Sequence, residues 1–143
     1  MTPDYSHVPL ARKLGIRAGY LVLLDGAPPE LDAWLQPLPE GVELRRRQEA
    51  RPGSVDVALA FATELRALGP AVGRLEPLLT PAGGLWLCSP KKASRVPTDI
   101  DFAAVQALGL GAGLVDNKVA SLSDVWTGMR FVRRLRDRGG ARR

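Results

Sequence analysis

Apolar residues along this chain recur in two ways, as short continuous runs and as stripes at helical spacing. Tyr20–Leu24, Val55–Phe61 (interrupted only by Asp56) and Leu85–Cys88 are continuous, as in strands buried on both faces of a parallel sheet. Val42 and Leu44 alternate with Glu43 and Arg45 over 42–46, the pattern of an edge strand. Leu10 and Leu14 share a face in a short helix opened by Pro9 and ended by Gly15, and Leu31, Trp34 and Leu35 do the same after Pro28-Pro29, with Pro37 and Pro39 as stops. A longer stripe of Leu65, Leu68, Val72, Leu75 and Leu79 predicts a helix over 63–79, with a break or kink at Gly69-Pro70. Pro81-Ala82-Gly83-Gly84 reads as a turn into the strand 85–88. Thr98 is the expected N-cap of the next helix, with Asp99 and Asp101 in its first turn and Ile100, Phe102, Val105 and Leu108 facing inward. Segments 114–121 and 126–134 are strands whose short connection forces antiparallel pairing.

The order is α-β-α-β-β-α-β-α-β-β. Alternating strands and helices predict an α/β fold in three Rossmann-like layers, a mostly parallel sheet ending in a C-terminal antiparallel strand pair. Residues 1–134 form a single domain in this reading and 135–143 a basic, flexible tail. About eight residues separate the strands ending near Arg46 and starting at Val55. Extended, they span roughly 26 Å, enough to return to the start of a parallel strand but without room for a helix.

Composition narrows the setting. The chain has 143 residues, 45% of them hydrophobic, which suits one domain with one core. No apolar run is long enough to cross a bilayer, and residues 1–10 lack a signal-peptide core. A lone Cys88 makes neither an intramolecular disulfide nor a cysteine zinc cluster. The expectation is a cytoplasmic protein with no membrane partner. The net charge of +5 is localised. Residues 130–143 hold seven Arg and one Asp, while residues 1–129 hold 13 basic and 14 acidic side chains. A terminal basic cluster binds nucleic acid or an acidic protein, or is simply solvated. The tail interleaves no aromatic residues to stack bases.

Two resemblances follow from quoted residues. Leu14–Gly26, a strand ending in an acidic residue and glycine, and Leu78–Leu87, with its Pro-x-Gly-Gly approach to a strand, resemble class I S-adenosylmethionine-dependent methyltransferases. A closer resemblance is to a bacterial family catalogued as domain of unknown function 3052. It is carried by Pro9–Ile16, Gly84–Trp86 leading to Pro90–Ser94, Thr98–Ile100, Gly113–Val119 and Trp126–Arg133; it implies no activity. The methyltransferase resemblance implies a cofactor turn of alternating glycines after the first strand, yet the turn here reads Asp25-Gly26-Ala27-Pro28-Pro29-Glu30. Only Gly26 stands at a glycine position, Pro28 offers no N–H, and Glu30 would repel the methyl donor's carboxylate. The second strand ends in Arg45-Arg46-Arg47, with Glu49 beyond, where that superfamily places a ribose-binding acid. S-adenosylmethionine is therefore a disfavoured cofactor, and no metal or other cofactor is expected.

The candidate ligand site lies at the carboxyl ends of the strands. Lys91, Lys92, Ser94 and Arg95 follow a central strand and precede a helix N-terminus, a composition suited to a phosphate or carboxylate. The alternative is a solvated basic loop. Asp25 and Gly26 end the first strand on the same side, to bind a ligand or to shape the turn. Trp126-Thr127-Gly128 would line the same crevice as Pro90-Lys91-Lys92 if the sheet order follows. Asp56, at the opposite rim, reads as structural, as do Asp116 and Lys118, expected on one strand face. His7 is the single histidine and reads as a terminal residue, Cys88 as core, and Trp34, Trp86 and Trp126 as core or pocket wall. No catalytic residue is assigned. Three functions compete: a non-catalytic or cryptic binding domain for an anionic small molecule or nucleotide on a degenerate methyltransferase-like scaffold, an interaction module using the basic tail, and a methyltransferase with an atypical cofactor loop. A homodimer through an exposed strand edge is compatible with each.

Overall fold

The computed structural model describes residues 8–46 and 50–139. Six strands form one sheet in the order β2-β1-β3-β4-β6-β5, with β1 Leu21–Asp25, β2 Glu43–Arg45, β3 Val55–Phe61, β4 Leu79–Pro90, β5 Leu114–Ser121 and β6 Trp126–Arg133. The first four strands are mutually parallel. β6 runs antiparallel to both β4 and β5, so the expected terminal pair is present, inserted with β6 inside and β5 at the edge. β2 is the other edge, as its alternating pattern predicts. β2 and β3 flank β1 on opposite sides, so the short link after Arg46 makes a parallel return, with no helix among its described residues.

One face of the sheet carries α3 (Leu65–Leu75) and α4 (Phe102–Gly111) over Leu23, Ala58, Leu85, Leu87 and Phe131. The other carries the single helical turns α1 (Leu10–Lys13) and α2 (Leu31–Trp34) over Val22, Leu24, Leu59 and Trp86. Adjacent strand residues serve opposite faces, which is why β4 reads as an unbroken apolar run, buried from Gly83 to Pro90. Trp86 is fully buried, and its indole Nε1 donates to the Leu14 carbonyl at 3.0 Å, locking the end of α1 to the sheet centre.

Several local expectations are corrected. Pro70 lies inside α3 without ending it. It faces solvent beside exposed Arg66, whose carbonyl can bond water in place of the missing N–H. The helical stripe ends early: Glu76–Leu78 tighten into a 3-10 turn, and Leu79 already pairs with Val55 as the start of β4. Residues 80–83 are an excursion within that strand, since pairing resumes at Val57 with Gly84. The N-cap of α4 is Asp101, whose carboxylate accepts from the Ala104 N–H at 2.8 Å. Thr98 donates instead to the Thr63 carbonyl, and Asp99 accepts from the N–H of Leu65 at the start of α3. The segment 98–101 thus fastens two helices where a single cap was expected. The beginning of the expected tail is structured too: Leu135–Arg138 form a helical turn, α5, and Arg138 donates to the Arg133 carbonyl.

The α4–sheet contact turns on Gly109. A Cβ there would overlap the ring of Phe131, which is fully buried. Neither the ring nor the helix can retreat without opening the core. Gly109→Ala should therefore destabilise by about 3 kcal/mol despite its better helix propensity, lowering the thermal midpoint by roughly 10 °C. Urea and thermal unfolding check this; an unchanged midpoint would mean α4 is not held against Phe131.

Candidate functional site

Beyond the carboxyl end of β4 lies a cavity of about 240 Å³. Its floor is formed by buried Leu87, Ile100, Val105 and Met129 with Ser89 among them, and exposed Val119 and Lys92 with half-buried Lys91 and Thr127 stand toward solvent. Each wall has a cause in the fold. Ser89 faces the α4 side because it stands two residues after Leu87 on β4, and Thr127 is its antiparallel partner. The cap at Asp101 leaves Ile100 buried in the floor and Phe102 at the opening. Phe102 is 58% exposed although it was expected inside, so it forms an apolar lip. Lys91 is anchored, its N–H donating to the Val125 carbonyl at 2.6 Å and its Nζ to Ser121 Oγ at 2.6 Å, whereas Lys92 is exposed.

Of the six expected site residues, two line this cavity. Ser94 and Arg95 shape the loop beside it. Ser94 Oγ donates to the Lys91 carbonyl and accepts from the Val96 N–H, and Arg95 adopts a left-handed φ of +64°. The expected Thr127-Gly128 wall is present, but Trp126 turns to the other face, edge-on to Phe61 with centroids 5.2 Å apart.

Asp25 and Gly26 belong elsewhere. They lie two strands away, about 10 Å across the sheet, and line none of the cavities described here. Asp25 Oδ2 accepts from Arg74 of α3 at 2.9 Å. Gly26 has φ +67°, and a Cβ there would come 2.7 Å from the Phe61 carbonyl oxygen, so the chain's own packing requires glycine. Arg46 spans the mouth of the β1 and β2 ends, donating to the carbonyls of Ala27 and Pro28 at 3.2 Å each and to Asp32 Oδ1 at 2.6 Å. A guanidinium strut thus closes the turn, where the methyltransferase resemblance implied an acid at the end of the second strand.

The remaining candidates resolve structurally. Asp56 Oδ2 accepts from the Leu21 N–H at 2.8 Å, stapling the start of β1 to β3. Asp116 and Lys118 do not share a face. A bulge makes them oppose Phe131 and Arg130, which point to opposite sides, so Asp116 meets Gln106 of α4 and Lys118 reaches the Lys13 carbonyl of α1. In the arginine cluster, Arg45 pairs with Glu43 and Arg46 with Asp32. Arg47, Glu49, His7 and residues 140–143 lie outside the described residues. Among the described residues, no three His, Cys, Asp or Glu side chains could hold a metal, and no helix is long and apolar enough to cross a membrane.

No family model matches the chain, and no curated protein does. Solved structures do. A SAM-dependent methyltransferase from Aquifex aeolicus superposes with a TM-score of 0.62 at 15% identity, over 85% of this chain and 86% of that one. The Burkholderia thailandensis 1,6-didemethyltoxoflavin-N1-methyltransferase, solved with 1,6-didemethyltoxoflavin and S-adenosylhomocysteine, gives 0.54 at 17% identity, over 85% and 73%. The fold is therefore that of the Rossmann-like, class I methyltransferases.

Cys88 is fully buried, and burial pushes its thiol far above the ordinary range. A thiol-specific reagent should leave it unmodified in the native protein at neutral pH and react fully in denaturant. The folded state keeps the proton that the unfolded chain loses above about pH 8.5, so this group's contribution to stability declines as pH rises past that value. Rapid native labelling would show the strand opening locally.

Proposed function

We propose that this domain binds a small amphipathic anion, an apolar body bearing a carboxylate or phosphate, in the cavity beyond β4 and β6, on a methyltransferase-like scaffold that transfers no methyl group. The observation that carries this reading is the pairing of Lys91 and Lys92 at the mouth with an apolar floor at the carboxyl end of a central parallel strand. The arrangement can hold and orient a ligand; it presents no paired nucleophile and base. Membership of domain-of-unknown-function family 3052 stands with it as a proposal, on the residues that carry the resemblance. The second reading is a methyltransferase with an atypical loop, favoured by the likeness to SAM-dependent enzymes. It requires Arg46 to release the turn.

Thermal unfolding with aromatic and aliphatic carboxylates, phosphorylated small molecules, S-adenosylmethionine and S-adenosylhomocysteine separates these. A ligand at a hundred times its Kd adds about 2.7 kcal/mol, a rise of roughly 9 °C for a domain this size. An amphipathic anion should produce such a rise, reduced by Lys92→Ala and abolished by Lys91→Ala/Lys92→Ala. A rise with the methyl donor alone would replace the proposal by the second reading. No rise with any ligand would sink both and turn attention to a macromolecular partner of the Arg-rich C-terminus.

A further inference from the structure

The opposite rim of the sheet, at the amino ends of the parallel strands, holds a larger and far more polar cleft of about 530 Å³. Five cationic side chains converge on it from three distant parts of the chain: Arg12 and Lys13 of α1, Arg17 just beyond, Lys118 of β5 and Arg130 of β6. Two structural devices bring the last two there. The bulge after Asp116 turns Lys118 onto the α1 face. Gly84 of β4 leaves a slot that the Arg130 guanidinium fills, since a Cβ at that position would lie 2.6 Å from Nε.

Arg130 is the telling member. Its Nε is buried with no hydrogen-bond partner, and no described side chain pairs with its charge. Desolvation and then repulsion from Arg138 depress its affinity for a proton, against a smaller opposing effect of Tyr20. Asp56 is the one acid lining the cleft, and one of its oxygens is taken by the Leu21 N–H. A half-buried cation without an internal counter-ion costs stability, a cost that an anion bound at the guanidinium would offset.

We propose that this cleft is a binding site for a di- or triphosphate group, separate from the carboxyl-end cavity and independent of it. Five cations against one carboxylate exceed what a lone carboxylate ligand needs. Three of them are guanidinium forks, which bind phosphate oxygens bidentately. The cleft is concave and offers only Tyr20 as an aromatic surface, which suits a compact polyanion better than a stacked single strand. The triphosphate comes either as an inorganic polyphosphate or as part of a nucleotide, and the two share this chemistry.

Isothermal titration of the full chain with sodium tripolyphosphate, adenosine triphosphate and a single-stranded 12-mer oligonucleotide tests it. Tripolyphosphate should bind, and adenosine triphosphate more tightly if the nucleoside is also recognised. Exposed Arg17→Gln should weaken binding about tenfold, the loss of one charge-assisted contact. Arg66→Gln, the same charge change on α3, should leave it within about twofold. Arg130→Met should abolish binding while raising the midpoint of the ligand-free protein. Three results would overturn the assignment. These are no binding of either triphosphate at millimolar concentration, equal weakening by Arg17→Gln and Arg66→Gln, or tighter binding of the oligonucleotide with the same dependence on Arg17.

Discussion

The rest of the structure depends on how Trp86 is held. β4 is paired on both edges and covered on both faces, so its backbone groups are satisfied by the ladder and its side chains must meet a complementary layer on each side. On the α3–α4 side two regular helices supply that layer. On the other side there are only single helical turns, which have little stability of their own. The buried hydrogen bond from the Trp86 indole to the Leu14 carbonyl compensates. It satisfies the one polar atom of a large buried ring and fixes the end of α1 against the sheet. The positions of Arg12, Lys13 and Arg17 at the amino rim follow from that one attachment.

A second constraint acts at the junction of α3, β4 and β6. The Arg133 guanidinium donates to the Glu76 carboxylate and to the carbonyls of Glu76, Leu79 and Thr80. Glu76 shields it from solvent in a half-buried pair. These carbonyls are left over where the helix tightens and the strand begins, so the arginine satisfies acceptors that neither element can. It also ties the last strand to the middle of the sheet. The Arg-rich C-terminal segment is therefore not uniform: Arg133 is part of the fold, and Arg130 faces a cleft.

The two rims divide the chemistry. At the carboxyl rim, where open α/β sheets place their ligands, the turn after β1 is closed by Arg46, Arg74 and the Phe61 carbonyl, and the open space has moved along the sheet to β4 and β6. At the amino rim, positive charge gathers against a single lining carboxylate, Asp56. A fold shared with methyltransferases does not decide between these sites, because function resides in the groups each rim presents.

Much of the architecture was legible in the residues themselves. The apolar runs at β1, β3 and β4, the edge pattern of β2 and the short C-terminal connection specify a mostly parallel sheet with an antiparallel end, because strand periodicity and loop length are local properties. That Lys91, Lys92 and Thr127-Gly128 share one crevice followed only once β6 paired with β4, a non-local contact on which the sequence reading is conditional, and the same pairing turned Trp126 to the other face. The separation of Asp25 and Gly26 from that crevice was not legible, because it depends on the strand order, which places β3 between β1 and β4. Nor was the amino-rim cleft. Arg12 and Arg130 are 118 positions apart, the bulge at 116–118 reverses the face of Lys118, and only packing in three dimensions puts a glycine under an arginine. Local sequence determined the elements and their order; which charges meet, and which stay unpaired, was decided by tertiary contact, because electrostatic pairing depends on distance in space and leaves no periodic trace along the chain.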